Sequence, residues 1–511
     1  MRKIMGSRYF PPVAALIFVF INLPVLDIYP PVHDDEGWLA CSAFSLATTG
    51  RMGCSLFAGS DVMPRLEERT YWYPPFYFVV LAVVFKTFGN SYVAARLVSL
   101  VAAAVCLFLI GLLARRIWDR GTVTFLAVVL TALDPFFIIA ARTARMDMLA
   151  AAASLALLFM LIRVWRHDSS ATCIFIGVFS ALALSLHPVG FIPVLAGWCV
   201  VIFGLVKKRI RLGHLALLAA PQVLALALWG SYVMKDPDAF KAQFSRNCMR
   251  SHLTGLSVDS VKREAVERYW NTYGPERLPT LLLYLGGTIW FFSTRLSKRK
   301  GNDAEKILVL FGLLYILIFT FASGSKAVGH LCHLVPLMAG FGSRFLFSMW
   351  ERQGRGRRFL RIGAATILVL SIAAGVGHIG RIHYLIHKGG ARLEYKTFTD
   401  EIGALIPPGS RVCGSASLWF ALQQKGIEHL DDPLIHPGDE RIKNLDIMVV
   451  VPSYFPRNRK FSWLWSIPGE DLTERPGALQ AWLEKECVLI GEVGDPEVVL
   501  GYQAKVYRIQ H

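Results

Sequence analysis

Long apolar runs broken by short basic segments occupy most of this chain, from residue 11 to about residue 380. Eleven runs can be marked, at 11–30, 92–114, 121–140, 147–164, 171–186, 188–206, 212–233, 279–294, 307–323, 327–348 and 362–380. Each approaches the ~20 residues an α-helix needs to cross a hydrocarbon layer. A soluble domain carries about 25% charged residues, whereas this chain carries 18%. The expected fold class is mainly α: a polytopic membrane protein of about eleven transmembrane helices, with a small C-terminal extracytoplasmic α/β domain.

The basic residues orient the spans. The formal net charge is +17, which in a soluble chain would point to nucleic acid. Here Lys and Arg gather in alternate breaks: MRKIMGSR, RRIWDR, RVWRHDSS, KKRIR, RLSKRKGNDAEK and ERQGRGRRFLR carry 3, 3, 2, 4, 5 and 5 of them. Positive segments stay on the cytoplasmic side. The N-terminus is therefore expected inside and the C-terminus extracytoplasmic, in a cell membrane such as the bacterial inner membrane. Zinc-finger and RNA-binding spacings are absent, so no nucleic-acid partner is expected. The first run follows a basic start without an A-x-A site, and reads as a retained span.

Three outer segments remain. Residues 31–91 hold a run too short to span, PPFYFVVLAVVFKTFG, which reads as an interfacial helix. Residues 234–278 are mixed in charge, with a helical VKREAVERYW. The chain then divides into a membrane domain, 1–380, and a tail, 381–511. In the tail LEYKTFTDEIGAL reads as a helix, while RVCGSASLWFAL, LDIMVVVPSY and ECVLIGEVG supply strand and helix signals. Most of the nine cysteines lie in apolar runs, as small hydrophobes do. Cys41 and Cys54 fall outside, where a disulfide could form.

Three charged places lie on one expected face. The first is Asp34-Asp35-Glu36, directly after the first span. Three successive carboxylates would repel, raise a pKa and so offer a general base or metal ligand. A helix cap is the plainer reading, but a cap needs one acid. The second is the turn Arg142-Thr143-Ala144-Arg145-Met146-Asp147, where two cations run against the positive-inside bias. A bound phosphate accounts for them, as does an ion pair with Asp147 or Asp134. The third holds Lys326, His330 and His333. The i, i+3 histidines suit a shared ligand or a divalent metal ion, and helix packing accounts for them as well. His187, before Pro188, sits at a similar helix end. No cofactor is otherwise called for, and without a Walker A sequence an ATP-driven pump is not expected.

With these residues in view, the chain resembles the GT-C polyprenyl-phosphate-sugar glycosyltransferases, which include lipid A aminoarabinose transferases and protein O-mannosyltransferases. Asp35-Glu36 with Trp38-Leu39-Ala40 is similar to the family's first-loop acidic motif. Tyr73-Pro74-Pro75-Phe76-Tyr77 and Ala94-Ala95-Arg96-Leu97 resemble its interface-helix signature, and Arg142 to Asp147 its turn between the third and fourth spans. His187-Pro188-Val189-Gly190 and Lys326 to Pro336 resemble weaker markers. Many relatives carry Glu-Lys where this chain has Trp72-Tyr73, which leaves the donor phosphate to Arg142, Arg145 or Lys326.

The resemblance implies transfer of a sugar, with inversion, from a polyprenyl-phosphate donor at the outer face. The acceptor would be a lipid, glycan or protein. Asp35 would be the base, flanked by Asp34 and Glu36. Arg142, Arg145, Asp147, Lys326, Tyr73, His187 and His330 would bind substrate. A transporter or flippase for an anionic lipid-linked substrate is the alternative; it would favour an internal repeat, which the chain lacks.

Overall fold

A computed structural model describes residues 7–60, 63–245, 257–297, 302–322, 328–352, 357–390, 394–431, 440–451, 475–494 and 502–510. Lys326 lies outside the described residues. The helices that matter below are α1 (Phe10–Asn22), α2 (Asp34–Thr49), α3 (Phe76–Phe88), α4 (Tyr92–Trp118), α5 (Gly121–Ala132), α6 (Pro135–Ala141), α7 (Asp147–Arg166), α8 (Ser170–Leu186), α9 (Phe191–Val206) and α10 (His214–Val233). They continue with α11 (Leu278–Ser297), α12 (Asp303–Ala322), α13 (Val335–Glu351) and α14 (Arg357–Gly389).

Each marked run holds a helix among the described residues, and the protein is mainly helical with a small C-terminal sheet. Six of the described helices are long and apolar enough to cross a membrane, or seven if the bent pair α5–α6 counts as one. The chain is an integral membrane protein. The run 121–140, expected as one span, is instead bent by 63° between α5 and α6. The cause is local. Pro135 has no N–H to continue the ladder and crowds the residue before it. Asp134 then restarts a helix by accepting from the N–H groups of Phe136 and Phe137. The first helix is also shorter than expected, passing into a 3-10 turn at Leu23–Val25. The run at 327–348 opens on a 3-10 turn, Val328–His333, before α13. The last long helix runs to Gly389, beyond the expected end near 380.

The tail adds three α-helices among the described residues, α15 (Tyr395–Leu405), α16 (Trp419–Gln424) and α17 (Arg475–Glu486), and five strands: β1 (Arg411–Gly414), β2 (Glu428–Asp431), β3 (Ile447–Val450), β4 (Cys487–Gly494) and β5 (Gln503–Ile509). The sheet order is β2-β1-β3-β5-β4. β1 pairs with β2 and β3 in parallel, and β5 pairs with β3 and β4 antiparallel. Apolar residues of α15 and β5, such as Phe398, Ile402 and Val506, join the core that includes α2 and α4. Tyr395 packs on Tyr92 at 4.8 Å between ring centroids, and Trp419 on Phe44 at 5.8 Å. Cys41 and Cys54 are buried free thiols, so the possible disulfide is not formed.

Candidate functional site

The first turn of α2 sets the site. His33 is its N-cap: Nδ1 accepts from the Asp35 N–H at 3.2 Å, and Glu36 reaches back to the His33 N–H at 3.0 Å. This is a capping box built on an imidazole. Burial lowers the His33 pKa, with Asp34 pulling the other way.

The expected crowding of three carboxylates does not occur, because the helix sends them in different directions. Glu36 is fully buried and accepts from Arg96 at 2.8 Å through both oxygens. The Ala144 N–H, at 2.7 Å, completes its shell. Asp34 faces the tail, where its Oδ1 accepts from the Ser415 hydroxyl and from the Ser417 N–H at 3.0 Å. Asp35 stays partly open, with 21% of its side chain exposed, and forms an ion pair with Arg145.

The turn between α6 and α7 separates its two arginines. Arg145 bridges Asp35 and Asp147, the second through Nε at 2.9 Å. Arg142 turns away into the protein. It is fully buried, donates to the Asn22 side-chain oxygen at 2.7 Å and faces the Tyr29 ring at 5.9 Å. Its Nη1 makes no hydrogen bond among the described residues. The ion pair with Asp147, one of the two readings open from the sequence, is thus realised by Arg145. Asp134 serves instead as the cap of α6 and accepts from the Tyr273 hydroxyl at 2.9 Å.

Behind Arg145 stands a group of imidazoles. The Asp147 Oδ1 atom lies 3.7 Å from His187 Nε2 and 3.9 Å from His330 Nε2. It accepts no hydrogen bond among the described residues. His187 is held by its own turn, where Nδ1 accepts from the Val189 N–H at 2.9 Å. A Cβ at Gly190 would overlap the Ala183 carbonyl, so glycine is required for this reversal after α8. The rings of His330 and His333 lie 5.2 and 6.1 Å from that of His187. Tyr73 closes the side at 6.1 Å from His187.

Ligand atoms of Asp147, His187 and His330 all fall within 4.8 Å of one another. One carboxylate and two imidazoles suit a divalent transition metal such as zinc. The site thus gathers Asp35, Arg145, Asp147, His187, His330 and Tyr73. Arg142 and Glu36 are packed away from its open side. Arg96 was read from the sequence only as part of the Ala94-Ala95-Arg96-Leu97 motif, with no role given to it; a lone arginine inside an apolar run was the signal for one.

Residues 73–229 match the family model of the dolichyl-phosphate-mannose-protein mannosyltransferases. No curated protein matches the sequence. Among solved structures, the chain is similar to ArnT from Cupriavidus metallidurans bound to undecaprenyl phosphate. The identity is 14%, the TM-score 0.60, and 97% of each chain is covered. The chain has a GT-C fold. It is also similar to the oligosaccharyltransferase AglB from Archaeoglobus fulgidus, in complex with an inhibitory peptide and a dolichol-phosphate. There the identity is 11%, the TM-score 0.52, with 87% of this chain and 69% of that one covered. A second Archaeoglobus fulgidus oligosaccharyltransferase structure, with zinc and sulfate, gives 12% and 0.50, covering 86% of this chain and 67% of that one. The resemblance read from the motifs is thereby borne out at the level of the GT-C fold, and Asp35, Arg145 and Asp147 form one ion-paired chain within it.

Proposed function

We propose that this protein is a glycosyltransferase that moves a sugar, with inversion, from a polyprenyl-phosphate donor to a lipid, glycan or protein acceptor at the outer membrane face. The observation that carries the reading is the chain Asp35–Arg145–Asp147, partly open at Asp35 and buried at Asp147, within a GT-C fold. Solved structures of that fold hold undecaprenyl phosphate and dolichol-phosphate. The eleven helical runs then cross the membrane with the N-terminus inside and the tail outside, as the alternation of basic loops requires. Residues 1–380 form the catalytic membrane domain and 381–511 the outer domain.

The step balances as follows. The acceptor oxygen attacks the anomeric carbon, and the bond from that carbon to the phosphate oxygen breaks. The electron pair leaves with the lipid phosphate, and the acceptor proton passes to Asp35. Arg145 links the two halves of this chemistry. A phosphate arriving beside it competes for the guanidinium, which frees the Asp35 carboxylate as the leaving group gains its counter-charge. Arg142 lends buried positive charge behind the turn, and Lys326 belongs to the same outer face by sequence. Glu36 and Asp34 position the helix that carries Asp35. Tyr73 and His187 stand together at the side of the site. A divalent cation on Asp147, His187 and His330 would add Lewis-acid charge toward the phosphate.

Purified protein in nanodiscs, given undecaprenyl phosphate carrying radiolabelled mannose, glucose or aminoarabinose and membranes as acceptor source, should release undecaprenyl phosphate and a labelled product from at least one donor. No consumption of any donor would remove the enzyme reading.

A further inference from the structure

The outer α/β domain meets the rest of the protein at the catalytic helix, and it does so with the edge that such folds use for ligands. In an open parallel sheet, ligands bind beyond the carboxyl ends of the strands. Here the parallel strands β1 and β2 end at Gly414 and Asp431, and the turn Ser415-Ala416-Ser417 follows β1. That turn is an anion cradle: Ser417 offers its N–H and Ser415 its hydroxyl. The anion it holds is the protein's own Asp34.

A second tie lies one helical turn on. The Trp38 indole N–H donates to Asp431 Oδ2 at 2.7 Å, while Asp431 Oδ1 accepts from the Ala416 N–H at 3.1 Å. Asp431 is buried, so this charge-assisted bond is shielded from water. Between the two ties, a Cβ at Gly37 would overlap the Ala416 carbonyl. Just before the helix, the Val32 N–H donates to the Tyr502 hydroxyl at 2.8 Å. Asp34, Gly37 and Trp38 stand at i, i+3 and i+4, one face of the helix. Asp35 stands off that face, toward Arg145.

We propose that the outer domain is a clamp on the catalytic helix, in which Ser415 and Asp431 are positioning residues that fix its rotation through Asp34 and Trp38 and so aim Asp35. The clamp rests on Asp35 as the reacting carboxylate. A side chain hung from one short helix turn moves when that turn rotates, and a displacement of about 1 Å costs on the order of 10²-fold in rate.

The test uses the full chain in nanodiscs. Trp38→Phe keeps a ring and removes only the N–H donor; Ser415→Ala removes only the hydroxyl. The pair combined should lower kcat for transfer from an undecaprenyl-phosphate sugar by about 10–10²-fold, with KM for the donor within about twofold. Amide hydrogen exchange over residues 33–40 should rise while residues 92–118 stay protected. Asp431→Asn, which still offers one acceptor, should retain more activity than Asp431→Ala. If the combined variant unfolds, Trp38→Phe alone carries the same readouts. Unchanged exchange over 33–40 together with unchanged kcat overturns the clamp. If the wild type consumes no donor, the enzyme reading fails by itself. The exchange measurement then decides the clamp separately: raised exchange supports it and unchanged exchange overturns it.

Discussion

Helix α8 joins two clusters of similar chemistry and opposite character. At its start, Asp168 and His214 bond at 2.7 Å, Arg211 reaches Asp168 at 3.2 Å, and the Ser170 hydroxyl lies 3.2 Å from the other His214 nitrogen. At its end, His187 faces Asp147 and His330. Both clusters bring ligand-type atoms within 4.8 Å of one another. In the first, Asp168, Cys173 and His214, only Cys173 is buried, while Asp168 and His214 keep side-chain exposures of 21% and 13% and Arg211 is open to water; Asp147, His187 and His330 are all buried. A partly solvated acid–imidazole pair costs less and contributes less than a dry one. A buried one must overcome desolvation, and in a membrane protein that expense marks function. Composition alone does not separate the two; burial does.

Substitutions at the two ends should widen that contrast. The largest effect is expected at Asp35: Asp35→Asn should slow single-turnover sugar transfer by about 10²–10⁴-fold, the usual loss for a general base, with folded yield retained. Wild-type rates would move the base elsewhere. Glu36→Gln should act on folding. It leaves Arg96 buried without its counter-charge, a loss of roughly 3–5 kcal/mol, visible as a lower thermal midpoint and less detergent-stable protein. Arg145→Gln should weaken binding of undecaprenyl phosphate by about 1.5–3 kcal/mol, as one charged hydrogen bond is lost; titration calorimetry reads this directly.

Acid should loosen the tail sheet next. His429 donates from Nε2 to the Gly414 carbonyl at 2.9 Å, and burial brings its pKa down to about 4. The unfolded chain protonates near 6.5 and the folded domain does not until about pH 4. The stability contributed is full above 6.5 and declines as pH falls from there toward 4. His429→Gln should flatten that stretch of the pH–stability curve. The smallest effect belongs to the solvated cluster: Asp168→Asn should shift stability by no more than about 0.5 kcal/mol and leave transfer unchanged. A large loss there would erase the distinction drawn from burial.

Much of this was legible in the sequence. Apolar run length gave every long helix, because hydrocarbon thickness dictates it. The bend at Asp134-Pro135 was written in the same residues, yet continuous hydropathy across it masked the break. The acidic motif and the Arg–Asp turn were visible as charges at membrane depth. Their geometry was not. Adjacent acids on paper imply repulsion, but on a helix successive side chains diverge by about 100°, and Asp34, Asp35 and Glu36 each meet a different partner. The ties from Asp34 to Ser415 and from Trp38 to Asp431 span most of the chain, beyond the reach of local pattern. Strand β2, Glu-His-Leu-Asp, has one apolar residue in four and so carried no strand signal, whereas β1 and β3, of the same length, are richer in apolar residues.

Glu36 takes its partners from three stretches that leave the ribosome at different times: the His33 backbone, Arg96 from α4 and the Ala144 backbone. Until α4 has been delivered to the bilayer, this carboxylate has no cation to meet and is best left in water. Glu36 can therefore be buried with its partners only after α4 and the turn at Ala144 are in place. A single side chain thus ties α2 to two later stretches, and a chain truncated before residue 144 should leave residues 31–60 more open to protease.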